Sequence, residues 1–560
     1  MIKKMTCWIL ILTCLISITA CGTPTPEATA TPTPVLLNEL SQYTIVYPSQ
    51  YTEMRMDIVN DIQDAIEHIT NVRINAVPDS APKSDKEIIL ASSSRSTSFD
   101  EKIKAFESRM DYVVAKDGND IVLGGQNYYS DMRAAYDFIK NYLGYDCIED
   151  SYSEPAKAIS GTYSNIYKKP EFTIEAACWA SKFGEESYIK DMADAHFNML
   201  MTTCYISAQE MHNLTKWCAK YEVNLMINIS THSDLPNFEV YSDCPAVWGA
   251  HVWDEPEESQ FETVQKLVDE FNEKYGKYGL KPYVNYAGER ADEVKNSPLL
   301  KNVEVMSFDW YIFVNNKPDG WCGTKGEGSY YLKRMQTFMN VAREHNMEFW
   351  TYIQAYVRKG GIFNAEKAYR WQMYMNMCFG SKAMLYFIYA NQSEADNDWV
   401  DFNTLVVNRD MTKGDNYYYA KEANEEILKM YDILKDYENV GAYTYLKKDS
   451  QLYAEFDEYK DFGVIEDIVD INDETLGNTS YLVGCFEKKD GSGKAFIFMN
   501  LEILTDLHYG QDWNLPIKLK INGENVTCYE KGEKIDLQKD ADGYYSFKAG
   551  NGQCFLFEVN

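Results

Sequence analysis

The sequence predicts an α/β protein built around a (β/α)8 TIM barrel, with a small α/β domain before the barrel and a β-sandwich after it. Strand-like and helical segments alternate regularly over residues 166–441, irregularly over 37–165, and helical periodicity ends after Gly441. Eight strands alternating with helices indicate a closed parallel barrel. A doubly wound sheet is the alternative, but no glycine-rich phosphate loop follows the first strand.

The predicted elements come from apolar runs and their periodicity. Barrel strands are predicted at 176–180, 199–205, 223–229, 247–253, 282–286, 303–311, 349–356 and 384–389, and helices at 188–195, 208–220, 259–275, 329–345, 365–379 and 418–437. Before the barrel, helices are predicted at 51–70, 100–110 and 129–143, strands at 72–77 and 87–92, and a hairpin at 112–123. Over residues 442–560, strands are predicted at 481–485, 495–500, 517–521 and 554–559.

The N-terminus predicts export. Residues 1–20 combine two lysines, a short apolar run and a final small residue, Ala20, which together are typical of a signal peptide. Cys21 follows directly, and this pattern resembles the bacterial lipobox, which implies a lipid on Cys21. Residues 21–36 are rich in threonine and proline and predict a stiff linker. We therefore expect a lipoprotein anchored in the cell membrane by its lipid and facing outward.

Composition limits the partners. The chain has 54 Lys and Arg against 85 Asp and Glu, a formal net charge of −31, so nucleic acid is not an expected partner. Ten cysteines follow the signal without a CxxC pair, which favours buried apolar thiols over a zinc site and leaves one or two disulfides open. No cofactor and no metal ion are expected. Aromatic residues make up 14% of the chain, a composition compatible with an oligo- or polysaccharide partner.

Polar and aromatic residues concentrate at the predicted carboxyl ends of the barrel strands, where barrel enzymes hold their reacting groups. The residues predicted there to bind substrate are Trp179, Tyr205, Trp253, Asn285, Tyr286, Trp310, Tyr311, Gln354, Tyr356, Arg358, Tyr389 and Asn391. Aromatic rings stack on the flat C–H faces of sugars. We predict a sugar-binding cleft, with Trp179, Trp253, Trp310 and Tyr356 on one concave surface.

Three acidic residues are the predicted catalytic groups. Asp254 and Glu255 follow the fourth strand directly, and Asp309 lies in the sixth. Glycosidic cleavage needs a proton donor and a second group at the anomeric carbon, and neighbouring carboxyls can divide this work if one stays protonated. The alternative for Glu255 is a helix start, since proline and further acids follow it. His251, inside the strand, is predicted to be a core residue, and His232 is left open.

Two features carry a resemblance to known families. The segments EIIL at 87–90, YVV at 112–114, IVLGG at 121–125 and AAYDFI at 134–139 resemble the α/β domain that precedes the barrel in glycoside hydrolase families 20, 67 and 84. The Asp254-Glu255 pair resembles the adjacent Asp-Glu of families 20 and 123, although the His-x-Gly-Gly run of family 20 is absent. The resemblance implies that Asp254 orients a substrate acetamide, Glu255 acts as acid and then base, and Tyr311 or Tyr356 holds the acetamide oxygen.

Three functions therefore remain open. One is a retaining, substrate-assisted β-N-acetylhexosaminidase, and another is a glycosidase with Glu255 as acid and Asp309 as its partner. The third is a non-catalytic glycan-binding lipoprotein. The separation of the Glu255 and Asp309 carboxyls bears on the choice, because about 5–5.5 Å fits a retaining pair and roughly 6.5–9.5 Å an inverting one.

Overall fold

The structure is a computed structural model. It describes residues 35–106, 111–159, 162–165, 170–179, 183–203, 208–229, 246–296, 301–311, 313, 327–356, 365–392, 401, 405–445, 459–470, 480–501, 515–550 and 552–559. The predicted signal peptide, with Cys21, lies outside these residues, as do Tyr205, His232 and Arg358. Among the residues described, no helix combines the length and the apolarity that a membrane crossing needs.

The N-terminal unit is a small α/β domain. Its strands are β1 (Thr44–Tyr47), β2 (Ala76–Pro78), β3 (Glu87–Leu90), β4 (Tyr112–Asp117), β5 (Asp120–Gly125), β6 (Tyr145–Asp146), β7 (Ser151–Tyr152) and β8 (Thr162–Asn165), and its helices are α1 (Asp57–Thr70), α2 (Asp100–Lys104) and α3 (Tyr128–Asp137). Six strands form one sheet in the order β2-β1-β3-β5-β4-β8. The predicted hairpin is confirmed, since β4 and β5 pair antiparallel. The predicted strand at 72–77 is wrong in extent, because β2 begins only at Ala76.

The predicted barrel is confirmed. Its strands are β9 (Thr173–Trp179), β10 (Met199–Thr203), β11 (Asn224–Asn228), β12 (Val247–Asp254), β13 (Lys281–Ala287), β14 (Val305–Asp309), β15 (Glu348–Gln354) and β16 (Ala383–Asn391). The helices are α4 (Glu186–Asp194), α5 (Ala208–Lys220), α6 (Phe261–Tyr275), α7 (Ala291–Asn296), α8 (Glu327–Glu344), α9 (Ala365–Cys378) and α10 (Asp415–Leu434). All eight strands pair in chain order, and β16 closes the barrel on β9 in parallel.

Alternate residues of each barrel strand face the lumen and the helix layer. One apolar cluster draws members from all eight strands and from no helix, so it fills the lumen; it includes Ala177, Met199, Met226, Trp248, Tyr283, Val305, Trp350 and Leu385. The opposite strand faces pack against the helices in the largest core. Helix α6 illustrates this packing. It presents one buried apolar stripe at helical spacing, formed by Val264, Leu267, Val268 and Phe271.

The C-terminal unit is antiparallel. Its strands are β17 (Tyr437–Tyr445), β18 (Ile465–Asp470), β19 (Tyr481–Lys488), β20 (Lys494–Asn500), β21 (Leu515–Ile521), β22 (Val526–Glu530), β23 (Glu533–Ile535), β24 (Tyr544–Ala549) and β25 (Cys554–Val559). They form two sheets, β17-β19-β20-β25-β22-β23 and β18-β21-β24. Phe498 and Phe557 of the first sheet share a core with Leu519 and Phe547 of the second, which confirms the predicted sandwich. All seven described cysteines are free thiols.

Candidate active site

A β-bulge aims Asp254 at the barrel lumen. The pairing of β12 with β13 shifts between His251 and Trp253, so β12 carries one extra residue there. His251 faces the ring of Tyr283 in the lumen, whereas Val252 and Trp253 both pack on the outer core. Regular alternation would turn Asp254 outward, but the extra residue returns it to the lumen side. Its Oδ1 lies 3.6 Å from Nε2 of His251.

Glu255 stands in an uncommon backbone conformation. Its φ is +47°, in the left-handed region that glutamate rarely adopts. Its N–H donates to the carbonyl oxygen of Asn285 at 2.8 Å, which holds the chain in this conformation. The side chain is exposed at the mouth of the barrel. Such strain costs of order 1–3 kcal/mol and is characteristic of functional positions.

Asn285 links the acids of two neighbouring strands. Its Nδ2 donates to Oδ1 of Asp254 at 3.2 Å and to Oδ1 of Asp309 at 3.1 Å. Asp309 is buried at the end of β14, and the charges of Glu255 and Asp254 act on it there. The three predicted catalytic acids therefore lie together around Asn285, and we call them the carboxyl cluster (Asp254, Glu255 and Asp309).

Protons in the carboxyl cluster are held tightly. Desolvation and, after it, the charge of Asp254 raise the pKa of Glu255, against the opposing hydrogen bond with Asp309. Burial, followed by the charges of Glu255 and Asp254, raises the pKa of Asp309 well above its usual range. Burial lowers the pKa of His251, which favours a neutral imidazole.

Two of the predicted substrate-binding tyrosines adjoin the carboxyl cluster. The rings of Tyr311 and Tyr356 meet edge to face at 5.4 Å, and Tyr311 also stacks on Phe387. Tyr311 is partly exposed, but Tyr356 is 2% exposed and packs with Ile388 and Leu405. Tyr311 thus keeps part of its surface exposed, whereas Tyr356 is enclosed and packs edge to face against the Tyr311 ring.

Several predicted aromatic contacts face the helices instead of the lumen. Tyr286 packs on Phe261 and Phe338, and Tyr389 on Phe197. Trp310 lies under the guanidinium of Arg334, 4.4 Å from its ring centre, and packs with Trp253 on the outer core. The reason is strand alternation, which separates Tyr286 from Asn285 and Trp310 from Asp309. The predicted concave surface shared by Trp253, Trp310 and Tyr356 is therefore wrong; the side chain of Trp179 is outside the described atoms.

Two predicted amide contacts are buried. The Gln354 side chain is fully enclosed; its Nε2 donates to the carbonyls of Phe313 and Tyr356, at 2.9 and 3.1 Å, and its Oε1 accepts from the Phe313 N–H at 2.8 Å. It fixes the chain after β14, so the prediction that it contacts substrate is corrected. Asn391, at the end of β16, is 2% exposed. Asn285 likewise uses its amide on the carboxyl cluster.

The sequence reasoning missed two charged residues beside the carboxyl cluster. Glu289 raises the pKa of Glu255 and Arg290 lowers it, as weaker influences than Asp254. Both follow β13 directly, so the rule that selected the other rim residues applies to them as well. Within the described part of the chain, no group of three or more His, Cys, Asp or Glu side chains has the arrangement of a metal site.

Comparison with known proteins gives only distant structural similarity. No protein-family model matches the chain, and neither does any curated protein. A β-galactosidase from the psychrophilic Marinomonas ef1 is similar at 9% identity and TM-score 0.34, over 47% of this chain and 60% of that one. A β-glucuronidase from Ruminococcus gnavus in complex with D-glucaro-d-lactam is similar at 11% identity and TM-score 0.34 (47% and 51%), and its apo structure at 10% and 0.35 (49% and 55%). The matched part thus spans between about half and three-fifths of those chains.

Proposed function

We propose that this protein is a glycoside hydrolase with Glu255 as its general acid and base. The observation that carries the proposal is the carboxyl cluster itself. Its three acids meet at the carboxyl ends of parallel barrel strands, where enzymes of this fold place their catalytic groups. A bulge and a left-handed backbone residue aim two of them, which a simple helix start does not need.

Glu255 has the properties of an acid catalyst. It is exposed at the barrel mouth, and its raised pKa makes it hold a proton more readily than an ordinary glutamate does. It can donate this proton to the departing glycosidic oxygen and, as a carboxylate, later take a proton from the attacking water. Asp254 beside it supplies the negative charge that keeps the proton on Glu255.

The group that attacks the anomeric carbon is proposed to be the substrate's own 2-acetamido group. The charge of Glu255 disfavours a second charge on Asp309, whereas a two-carboxylate glycosidase needs an ionised partner for its acid. Asp309 is also buried with a strongly raised pKa, which makes it a poor nucleophile. Asp254, fixed by Asn285, would accept the acetamide N–H, and Tyr311 would donate to the acetamide oxygen. The proposed substrate is thus a β-linked 2-acetamido sugar in an oligo- or polysaccharide.

The acetamide route also balances chemically. The acetamide oxygen bonds to the anomeric carbon while the glycosidic bond breaks and the Glu255 proton moves to the leaving oxygen. Water then attacks the same carbon, gives a proton to Glu255 and displaces the acetamide oxygen. The configuration is retained, since each of the two substitutions at the anomeric carbon inverts it.

The proposed location is the outer side of the cell membrane, with a lipid on Cys21 as anchor. The signal-like residues 1–20 and the Thr/Pro-rich linker support it. Cys21→Ser should release the protein from the membrane fraction after export, whereas Cys147→Ser should leave it anchored. Equal membrane retention of both variants would contradict the anchor.

Glu255→Gln tests the proposed activity. On a substrate with an unactivated leaving group, turnover should fall by roughly 10²–10⁴-fold, because the variant keeps the shape but loses the proton. An activated aryl glycoside should suffer less in the bond-breaking step. Asp254→Asn should impair chiefly substrates with an acetamido group. Glu257→Gln, an exposed acid two residues away, is the matched control and should stay near wild type.

Two results would contradict the proposal at different levels. Wild-type turnover of an unactivated substrate by Glu255→Gln would mean that Glu255 only begins a helix. Equal hydrolysis of aryl glycosides with and without the acetamido group would refute substrate assistance and favour a two-carboxylate enzyme with Asp309 as partner.

A further inference from the structure

A chain of hydrogen bonds runs from the carboxyl cluster down into the barrel lumen. The Ser307 hydroxyl donates to Oδ1 of Asn285 at 3.1 Å. The Tyr283 hydroxyl lies 2.5 Å from Oγ of Ser307, and Tyr352 lies on the neighbouring strand β15. These residues sit on the adjacent strands β13, β14 and β15, and Ser307 and Tyr283 are fully buried.

The direction of every bond in this chain is fixed. Ser307 has one hydrogen, and it goes to Asn285, so the bond between Tyr283 and Ser307 has the tyrosine as its donor. The Asn285 oxygen is the acceptor at the upper end, so its NH2 group faces the two aspartates.

We propose that Ser307, oriented by Tyr283, is a positioning residue that locks the Asn285 amide with both of its donors on Asp254 and Asp309 and thereby sets the protonation of the carboxyl cluster. Its consequence for turnover rests on the proposed glycosidase function. Its consequence for proton binding does not. Ser307 and Tyr283 act on the substrate only through Asn285 and the acids that Asn285 holds.

The physical reason is that the Asn285 side chain is held at its oxygen by Ser307 and at its NH2 group by the two aspartates. Without the Ser307 hydroxyl the buried Asn285 oxygen loses its donor, so the plane of the amide is held less firmly and its two N–H donations to the aspartates weaken. Weaker donation from Asn285 removes part of what lowers the pKa of Asp309. The apparent pKa of the carboxyl cluster should therefore rise by about one unit in Ser307→Ala.

Ser307 forms no hydrogen bond with the other charged groups around the carboxyl cluster among the described residues. The titratable and charged side chains that face it are His251 on β12, Glu289 and Arg290 after β13, Tyr311 after β14 and Tyr352 on β15. The Ser307 hydroxyl bonds to Asn285 and Tyr283 and to none of these groups. A change in titration on removing one buried hydroxyl is thus attributable to the Asn285 amide.

The test compares Ser307→Ala, Ser307→Thr, Tyr283→Phe and Ser381→Ala in the full-length protein. Infrared titration follows the carboxyl bands that disappear in Asp309→Asn, and the pH profile of kcat/KM is measured in parallel. We expect the apparent pKa to rise in Ser307→Ala, to rise less in Tyr283→Phe, and to return toward wild type in Ser307→Thr. Ser381, an equally buried serine that donates to the Ala383 carbonyl at 2.8 Å, should leave it unchanged.

An unchanged carboxyl titration in a folded Ser307→Ala protein would overturn the inference. If that variant does not fold, Tyr283→Phe decides, since it removes one oxygen and keeps the ring. The infrared readout needs no turnover, so a protein without glycosidase activity would refute the proposed function and leave this test intact. An active enzyme with unshifted titration in both variants would refute only the role of Ser307.

Discussion

Two acidic side chains, Glu175 and Asp309, are buried inside the same barrel, and their surroundings differ. Burial raises the pKa of Glu175 from 4.5 to about 8, and it is also the main cause of the raised pKa of Asp309. Both carboxyl oxygens of Glu175 lack a hydrogen-bond partner among the described residues. Asp309 instead accepts a hydrogen bond from Asn285, and the charge of Glu255 acts on it.

The comparison shows that a raised pKa does not by itself mark a catalytic acid. Glu175 lies on β9 among the residues that fill the lumen, fully enclosed. Asp309 ends its strand at the barrel mouth and is linked to an exposed acid. Burial disfavours charge on both, but only the second can pass a proton to a group that meets solvent.

The largest expected difference is in catalysis. Asp309→Asn should lower turnover by roughly 10²-fold or more, because Glu255 loses the neighbouring carboxyl that acts on its proton affinity. Glu175→Gln should stay within a few-fold of wild type. Steady-state kinetics on an unactivated glycoside measures both. An equal loss in the two variants would mean that the lumen acid is coupled to the reaction and that the distinction between the two acids is mistaken.

The next effect is on stability, and its sign follows from the pKa of Glu175. Folding raises this pKa from 4.5 to about 8, so the folded protein keeps a proton that the unfolded chain releases. The contribution of Glu175 to the free energy of unfolding is therefore full below about pH 4.5 and falls with rising pH, by about 1.4 kcal/mol per unit, until about pH 8. Glu175→Gln should thus gain stability relative to wild type as pH rises.

Urea unfolding of both proteins at pH 5, 6, 7 and 8 measures that trend. Any offset from the buried glutamine amide is constant, because that amide does not titrate over this pH range. A stability difference that stays flat across the series would show that Glu175 is hydrated or paired in solution.

The sequence predicted the barrel because its strands are long apolar runs and its helices are amphipathic; helix α5 has the predicted limits, Ala208–Lys220. The same apolar runs could not tell which way a side chain points, since strands buried on both faces carry no alternation. Trp310 and Tyr286 were misassigned for this reason, and the bulge after His251 has no sequence signature. Polar edge strands such as Ile465–Asp470 were missed because acids interrupt their pattern.

The end of the last barrel helix shows another limit of local patterns. Helical periodicity predicted a helix to residue 437, but α10 ends at Leu434 and β17 begins at Tyr437. Tyr437 packs in the core shared with the barrel and its hydroxyl donates to Glu558 at 2.9 Å. Tertiary contacts with β25 thus decide a boundary that periodicity leaves open.

Asp131 of the N-terminal domain is a third buried acid to compare with Glu175 and Asp309, and its expected effect is the smallest. It is fully buried like Glu175, but it accepts hydrogen bonds from the Tyr51 hydroxyl at 2.8 Å and from the Ser92 and Gly125 N–H groups at 3.2 and 3.3 Å. Burial still raises its pKa from 3.8 to about 7, with the donors opposing. The folded state again keeps the proton, so this contribution to stability falls between about pH 3.8 and 7 and is constant above.

Asp131→Asn should therefore lose about 1–3 kcal/mol of stability through donors that the amide cannot satisfy. Its total stability difference from wild type should shrink from pH 5 to 7, because the wild-type contribution falls over that range. Between pH 7 and 8 the difference from wild type should be flat, whereas the Glu175→Gln difference still changes there. The same urea series measures both, and Ser96→Ala on the exposed surface of the same domain serves as control. A stability difference for Asp131→Asn that keeps changing up to pH 8 would mean that hydrogen-bond donors do not lower the pKa of a buried carboxyl in this protein. The distinction between Glu175 and Asp309 would then rest on access to solvent alone.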